Sequence, residues 1–213
     1  MAYEDCGTAA PTDGSVGGAP GVGAPLPAPW QHHRLRHPGP ADHLPVLAVL
    51  DSWWGGLGGE DGARQRALLL PRLMFQHFGD SSFLVTSDDG DGNGDSDSDS
   101  DSDSPNERII AFLIGFLSQS RPDESYIHFV GIDPAERGRG LGAVLYERFF
   151  AYSRAHGRSV VRAITSPQNT GSYAFHTRMG FVTEPGPKEL DGKPVQPDYD
   201  GPGLDRLSFR RDL

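Results

Sequence analysis

The sequence predicts a single α/β domain with a mixed sheet, and three observations support this fold class. Strand-like and helix-like apolar patterns alternate along most of the 213 residues. Glycines follow the helical patterns where those patterns end. A chain of this length is typical of one domain, with or without a tail.

The first part of the chain differs in composition from the rest. Residues 1–30 are rich in Ala, Gly and Pro and lack aliphatic spacing, which predicts a disordered leader. The domain is expected to cover residues 31–213. It begins with a short strand in HHRLRHP, a helix in ADHLPVLAVLDSWWGG and a second helix in PRLMFQHFG. The next segment, SSFLVTS, is predicted to be a strand.

Residues 87–106 form an acidic insertion in which the Asp-Ser dipeptide occurs five times between Asp95 and Ser104. The strands predicted before and after it, SSFLVTS and ERIIAFLIGFLS, are natural hairpin partners, so we expect a solvated hairpin loop. The spacing of its acids partly matches a calcium loop. Ser100 stands where that loop requires a bidentate glutamate, so loose cation attraction is favoured over a specific site.

The second half of the sequence completes the alternation of strands and helices. Its predicted elements are a strand in SYIHFVGID, a helix in GLGAVLYERFFAYSRAHG, a strand in SVVRAITS, a helix in TGSYAFHTRMG and strands in FVT and LSFRR. In the long helix, apolar residues at helical spacing predict one buried face.

Charge and composition exclude several classes of protein. The formal charge is −10, and eight aspartates in the acidic insertion account for all but −2 of it, which disfavours nucleic acid and anionic membranes as partners. The longest apolar run, Ile109–Leu117, has nine residues, whereas a membrane span needs roughly 20. The only cysteine, Cys6, excludes an internal disulfide and a cysteine-based zinc site; we expect a cytoplasmic protein without a bound metal.

The segment VGIDPAERGRGLG, residues 130–142, carries the strongest chemical signal. It runs from a strand through a short turn into the start of a helix. Its glycines allow close backbone approach to a ligand, and the free N–H groups of a first helical turn favour negative charge. Arg137 and Arg139 supply charge-assisted contacts of the kind that phosphates accept. The segment is therefore predicted to bind a pyrophosphate.

Three other interpretations of this segment are weaker. A purely structural turn does not explain two arginines among three glycines. A nucleotide-hydrolase phosphate loop requires Gly-Lys-Ser/Thr, where the sequence has Leu141-Gly142-Ala143. A dinucleotide fingerprint matches Gly138, Gly140 and Ala143, but the next strand ends without the acid that would bind a ribose.

The sequence resembles the GNAT superfamily of N-acetyltransferases in two motifs. Arg137-Gly138-Arg139-Gly140-Leu141-Gly142, preceded by Ile132-Asp133-Pro134, matches the family's coenzyme A pyrophosphate pattern. The family's later signature, an Asn followed by a helix ending in Gly-Phe, is matched by Asn169 and Gly180-Phe181. The order of elements agrees from about residue 31 to the C-terminus.

This resemblance implies a GNAT-type mixed, splayed central sheet flanked by helices, with acetyl-CoA as co-substrate in the gap of the sheet. It implies that the backbone of residues 130–132 pairs with the pantetheine arm and that an N–H there polarises the thioester carbonyl. It also implies that Asn169 contacts the cofactor. The cofactor-binding residues so expected are Val130, Gly131, Ile132, Arg137, Gly138, Arg139, Gly140, Leu141, Gly142 and Asn169.

The resemblance further implies direct attack of a neutral amine on the thioester. His128 and Tyr126 are candidate bases, because period two places them on one strand face with Val130 and Ile132, and His128 is preferred because an imidazole titrates near neutral pH. A packed histidine is the equal alternative. For the general acid, His176 occupies the position where many family members have a Tyr, and Tyr173 is the other candidate.

Two loops are expected to flank the acceptor amine. Trp53 and Trp54 offer an aromatic wall, with a helix-end apolar contact as the alternative, and residues 184–203 carry excess acid that would attract a cationic amine. The predicted function is N-acetylation of a primary amine, with a small molecule as the acceptor. The alternatives are a protein lysine or N-terminal acetyltransferase and a non-catalytic acyl-CoA-binding module; a homodimer stays open.

Overall fold

A computed structural model describes residues 24–54, 59–88 and 107–213. Within these ranges the chain forms five α-helices and nine β-strands. In chain order they are β1 (Arg34–Arg36), α1 (His43–Trp53), α2 (Gly59–Leu69), α3 (Arg72–His77), β2 (Phe83–Asp88), β3 (Glu107–Leu117), β4 (Glu124–Ile132), α4 (Leu141–Ala155), β5 (Val160–Thr165), α5 (Thr170–Arg178), β6 (Val182–Thr183), β7 (Lys188–Leu190), β8 (Lys193–Val195) and β9 (Leu207–Asp212).

Seven strands form one mixed sheet in the order β1-β2-β3-β4-β5-β9-β6, and β7 pairs with β8 in a separate hairpin. All neighbours in the large sheet are antiparallel except β4 and β5, which are parallel. The antiparallel pairing of β2 with β3 agrees with the hairpin expected from the sequence. The predicted α/β class with a mixed sheet is confirmed.

The two central strands diverge along their length. Strands β4 and β5 are paired only over Glu124–Tyr126 and Val160–Arg162, at one end of each strand. Beyond Tyr126 the edge of β4 that would pair with β5 is left open, and the sheet opens into a V-shaped gap. This splay was expected from the family resemblance, and the structure confirms it.

Strand β4 contains a bulge at its centre. Ile114 of β3 is opposite Phe129, whereas its neighbour Gly115 is opposite Ile127, so His128 is the extra residue. The extra residue reverses the alternation of side chains between the two parts of the strand. Tyr126, before the bulge, stacks on Phe116 at 5.3 Å between ring centroids, on the side of the sheet that carries α1 and α3.

The predicted common face of Tyr126 with Val130 and Ile132 is wrong for this reason. Val130 and Ile132 pack against the core cluster on the opposite side of the sheet, which also contains Leu141 and Leu145 of α4. The expectation assumed an uninterrupted period of two, and the extra residue in β4 breaks that period.

Helices cover both faces of the sheet. Helices α1 and α3 bury Val46, Leu50 and Phe75 against β2 and β3 on one face. On the other face α4 buries Leu141, Leu145 and Phe149 of its predicted apolar stripe, whereas Val144 and Tyr152 are only partly buried. The gap between β4 and β5 lies next to the start of α4.

The predicted leader, residues 1–30, is only partly described. Residues 1–23 lie outside the described residues, as do residues 89–106 of the acidic insertion. The remaining part of the leader packs against the domain: Leu26 and Trp30 are both 3% exposed and belong to the core cluster around α4. The packed chain therefore extends before residue 31, because two large apolar side chains in this Pro-rich stretch find a buried place.

Candidate active site

The opening between β4 and β5 continues into a cleft of about 730 Å³. Its lining comes from strands β4 and β5, the start of α4 and helix α5, and includes Trp53 and Trp54 at the end of α1. Ten of the catalytic and cofactor-binding residues predicted from the sequence line this cleft: His128, Val130, Ile132, Arg137, Gly138, Gly140, Leu141, Gly142, Asn169 and His176. Gly131, Arg139 and Tyr173 are absent from its lining.

The turn before α4 is built for an anion. Gly138 and Gly140 have φ angles of +76° and +97°, which residues with a Cβ adopt only at a cost in conformational energy. The first bond of the helix runs from the Val144 N–H to the Gly140 carbonyl, and Gly140, at the N-cap, has no side chain to cap the helix. The N–H groups of residues 141–143 are thus available to a negatively charged ligand.

The two arginines of the turn have different environments. Arg137 lines the cleft, where its Nε donates to the Ile132 carbonyl at 3.1 Å and its guanidinium lies 5.9 Å from the centre of the Trp54 ring. Arg139 instead donates to Glu136 and lies 5.9 Å from the ring of Trp30, outside the cleft lining. The structure thus brings only Arg137 of the two into the cleft.

Gly131 has a packing reason to be glycine. A Cβ at this position would lie 2.4 Å from Cε1 of Phe112 and 3.1 Å from Cζ3 of Trp53. Both distances are shorter than van der Waals contact, so a larger residue would displace these rings. Its neighbours Val130 and Ile132 line the cleft.

His128 lines the cleft from the bulge of β4. Its Nε2 lies 2.6 Å from the carbonyl oxygen of Leu69, at the C-terminal end of α2. Because a carbonyl oxygen only accepts, we infer that Nε2 carries the proton in the neutral ring and that Nδ1 keeps its lone pair. The imidazole is therefore oriented by α2 and retains one nitrogen that can accept a proton.

Aromatic side chains from the end of α1 also line the cleft. Trp53 stacks on Phe112 with ring centroids 5.9 Å apart, and Trp54 contacts Phe129 at 6.1 Å. Both tryptophans are half-buried and line the cleft. Each tryptophan therefore makes a core contact at the end of α1 and also forms part of the cleft wall. The two interpretations from the sequence, an aromatic wall and a helix-end apolar contact, both apply.

His176 is buried in a polar pair beneath the cleft. Its Nδ1 lies 2.8 Å from the Ser172 carbonyl, and its Nε2 lies 3.1 Å from the hydroxyl of Tyr146. Since the carbonyl must accept, Nδ1 donates and Nε2 accepts from Tyr146. Burial lowers the pKa of His176 and raises the pKa of Tyr146. The imidazole is therefore neutral near pH 7, with both nitrogens engaged.

Tyr173 and Asn169 of the α5 region have different environments. The Tyr173 ring lies 6.0 Å from that of Phe209 and carries the Lys193 ammonium at 4.7 Å, away from the cleft lining. Asn169 caps the helix, because its Oδ1 accepts from the Ser172 N–H at 3.0 Å, and it also lines the cleft. Tyr146, which the sequence analysis did not single out, lines the cleft as well.

The buried state of His176 gives a pH dependence of stability. The pKa of the folded protein lies below the ordinary value of about 6.5, so between these two values the unfolded chain binds more protons. The free energy of unfolding should fall as the pH drops below about 6.5, with a contribution from His176 of up to about 1.4 kcal/mol per pH unit. Urea unfolding at pH 7.5, 6.5 and 5.5 measures this slope.

The matched comparison is His176→Gln against His156→Gln, since His156 is an exposed residue at the end of α4. His176→Gln should flatten the slope between pH 6.5 and 5.5, and His156→Gln should leave it unchanged. Equal slopes in the wild type and in His176→Gln would mean that His176 does not titrate as its burial requires.

Much of the charge in the loop of residues 184–203 is paired. Glu184 forms ion pairs with Arg162, and Asp200 with Arg206 at 2.7 Å. Lys188 is paired with Asp205 at 2.8 Å. The pairs of Glu184 and Asp200 with arginines outside the loop reduce the negative potential that the sequence analysis expected for this rim, whereas the pair of Lys188 does not.

Neither a metal-binding cluster nor a membrane-spanning helix is found in residues 24–54, 59–88 and 107–213. No group of three or more His, Cys, Asp or Glu side chains there is arranged to hold a metal ion. No helix in these ranges has the length and hydropathy needed to cross a membrane.

Comparison with known families gives a direct match. Residues 69–181 match the model of the acetyltransferase (GNAT) family, which is more than half of the chain. The matched range contains β2 to β5, α4, α5 and the whole glycine turn.

Two curated relatives match shorter stretches. The L-2,4-diaminobutyric acid acetyltransferase of Nocardia farcinica is 34% identical over 68 residues, which is 32% of this chain and 35% of the relative. A mycothiol acetyltransferase of Corynebacterium glutamicum is 35% identical over 72 residues, which is 33% of this chain and 25% of the relative. The chain thus spans about a third or less of the length of these relatives.

Solved structures show the same fold. Ard1 of Thermoplasma volcanium superposes with a TM-score of 0.58 at 17% identity, over 85% of this chain and 98% of that one. The yncA protein of Salmonella typhimurium, solved with acetyl-CoA, gives a TM-score of 0.50 at 16% identity, over 85% of this chain and 94% of that one. At such identities the likeness concerns the fold alone.

Proposed function

The chain belongs to the GNAT acetyltransferase family, and from that premise we propose that it is an acetyl-CoA-dependent N-acetyltransferase acting on a primary amine of a small molecule. The observation that carries this proposal is the cleft between the diverging strands β4 and β5, with the glycine turn at its edge. The cytoplasmic location expected from the single cysteine stays a prediction, and the homodimer stays open.

The residues present suit acetyl-CoA. The free N–H groups at the start of α4, together with Arg137, would hold the pyrophosphate. The open edge of β4 beyond Tyr126 would pair with the amide groups of the pantetheine arm, much as an added strand pairs with a sheet edge. Val130 and Ile132 supply apolar contacts along that arm.

In the reaction, the amine nitrogen bonds to the acetyl carbonyl carbon, the C–S bond breaks, and the amine loses a proton. We assign the acceptance of that proton to Nδ1 of His128, directly or through one water. The Leu69 carbonyl fixes the ring by its bond to Nε2–H.

The need for a base depends on the amine. At pH 7, deprotonating an amine of pKa about 10.4 costs about 4.6 kcal/mol, whereas an α-amino group of pKa about 7.8 costs only about 1.1 kcal/mol. His128 should consequently matter most for a lysine-like side-chain amine.

No side chain in the described residues is well suited to protonate the leaving thiolate. His176 is neutral, and its one N–H is engaged by Ser172. Tyr146 has a pKa raised above 10, whereas a thiol has a pKa near 8.5, so this transfer would be uphill by at least about 2 kcal/mol. Tyr173 is outside the cleft lining. We therefore propose that the thiolate leaves unaided and is protonated from solvent.

The preference for a small acceptor rests on the relatives. Those named above are acetyltransferases of diaminobutyric acid and of mycothiol, which are small molecules. Trp53, Trp54 and Phe129 would contact the carbon skeleton of such an acceptor in the cleft.

An acetyl-transfer assay tests this proposal. Thiol release from acetyl-CoA is measured with 2,4-diaminobutyrate and other small diamines, with a lysine peptide and with a free N-terminal peptide. We expect kcat/KM for at least one small amine to be tenfold or more higher than kcat/KM for either peptide. Faster turnover of a peptide would favour a protein acetyltransferase, and CoA binding without any turnover would favour the non-catalytic module.

A further inference from the structure

The segment of residues 24–30, which we call the N-terminal strap, lies against the glycine turn. Within it Leu26 and Trp30 are each 3% exposed, although its composition resembles that of a disordered tail. Burial of two large apolar side chains indicates a fixed position on the domain.

Trp30 connects the strap to the turn. Its Nε1–H donates to Oε2 of Glu136 at 3.3 Å, and Nη1 of Arg139 donates to the same oxygen. The Arg139 guanidinium lies 5.9 Å from the Trp30 ring, and a Cβ placed on Gly140 would lie 3.7 Å from the Cη2 atom of that ring. One indole thus touches three residues of the turn.

The other end of the strap is held by the helix that follows the turn. Nη2 of Arg148 on α4 donates to the carbonyls of Ala24 at 3.1 Å and Pro25 at 2.8 Å. The strap therefore runs from the second half of α4 back to the turn, and both of its ends are fixed to the domain.

The contacts of Trp30 and Arg139 with Glu136 offset an unfavourable charge in the turn. Glu136 lines the cleft beside the site proposed for a pyrophosphate, where a carboxylate would repel the ligand. The indole N–H and Arg139 hold this carboxylate and offset its charge. The turn also contains two glycines in left-handed conformations, which are entropically costly to order on binding unless they are already fixed.

We propose that the N-terminal strap preorganises the pyrophosphate turn, and that Trp30 is a positioning residue for acetyl-CoA binding. This inference rests on the proposed function for the identity of the ligand. The contacts between Trp30 and the turn exist in the protein without any ligand, so they can be tested separately.

The test compares Trp30→Phe with Val46→Ala in the full chain. Phe keeps an apolar ring and loses the indole N–H; Val46, in the core on the other face of the sheet, controls for a general loss of stability. Calorimetry with CoA should give roughly three- to tenfold weaker binding for Trp30→Phe, with a raised KM for acetyl-CoA and unchanged kcat and amine KM. Val46→Ala should leave these values within twofold.

Hydrogen exchange of residues 136–142 in the ligand-free protein supplies an independent readout. Exchange there should accelerate at least threefold in Trp30→Phe and remain unchanged in Val46→Ala. If Trp30→Phe does not fold, Glu136→Ala removes the same hydrogen bond from the turn side and should also accelerate exchange.

The outcomes separate this proposal from the proposed function. Unchanged exchange and unchanged CoA binding in Trp30→Phe would overturn the role of the strap. If exchange is faster in Trp30→Phe but the wild type binds no CoA, the role of the strap in ordering the turn is supported and the assignment of CoA as the ligand is overturned. Equal losses of CoA affinity in Trp30→Phe and Val46→Ala would show that Trp30 acts only by stabilising the core.

Discussion

Gly140→Asp is expected to abolish detectable CoA binding, with a Kd raised at least 100-fold. Gly140 has a φ of +97° at the N-cap of α4, so any side chain there is strained. The aspartate would also place a negative charge, and an acceptor for the free N–H groups, where the pyrophosphate must bind. Isothermal titration with CoA measures the loss directly.

The matched control is Gly157→Asp. Gly157 also has a positive φ, +73°, and nothing lies within 4 Å of its would-be Cβ. It follows α4 at the opposite end from the turn. Both substitutions therefore strain the backbone similarly, but only Gly140→Asp should affect binding. Tight CoA binding by folded Gly140→Asp would remove the turn from the ligand site.

His128→Gln is expected to lower kcat at pH 7 by roughly 100-fold for a side-chain amine, which is the low end of general-base contributions. Glutamine can still donate to the Leu69 carbonyl but cannot take the proton. The KM for acetyl-CoA should change much less than kcat, and His128→Ala should behave similarly. Raising the pH should restore part of the rate, because more of the amine is then already neutral.

His43→Gln controls for the structural part of this effect. Nε2 of His43 forms a hydrogen bond with the Leu70 carbonyl at 3.0 Å, next in the chain to the Leu69 carbonyl that His128 contacts. His43 does not line the cleft. The substitution should leave kcat within twofold. An unchanged kcat and pH profile in His128→Gln would show that His128 is a packed residue and not a base.

Much of the fold follows from local patterns in the sequence. The strands around the acidic insertion and helix α4 have strong apolar periodicity, and both formed where the sequence placed them. Helix α2 was not predicted, because its sequence GEDGARQRALL contains two glycines and no clear apolar stripe. It is held by tertiary contacts, including the ion pair of Arg66 with Asp51 at 2.7 Å, which a single-sequence pattern does not reveal.

The hairpin of β7 and β8 was missed for a related reason. Its strands have only three residues each, KEL and KPV, and their charges suggested a solvated loop. Within it Val195 is fully buried and belongs to the core around α4. One apolar residue in a polar segment gives no usable period.

The site was predictable where it depends on backbone chemistry. The glycine turn places Gly138 and Gly140 in the positive-φ conformations that only glycine adopts readily, so residue type and geometry are linked. The tertiary partners of the turn were not predictable, because the contact of Trp30 with Glu136 spans 106 positions of sequence. The bulge at His128 likewise depends on the register between β3 and β4, which local alternation cannot specify.

The most direct test of the account is a thermal-unfolding titration of the wild-type protein with acetyl-CoA, CoA and NAD. A ligand present at 100 times its Kd adds about 2.7 kcal/mol to the stability of the folded state, which for a domain of this size raises Tm by roughly 5–10 °C. We predict this rise with acetyl-CoA and CoA and none with NAD. A rise with NAD alone, or no response to CoA at saturating concentrations, would contradict the assignment of the cleft.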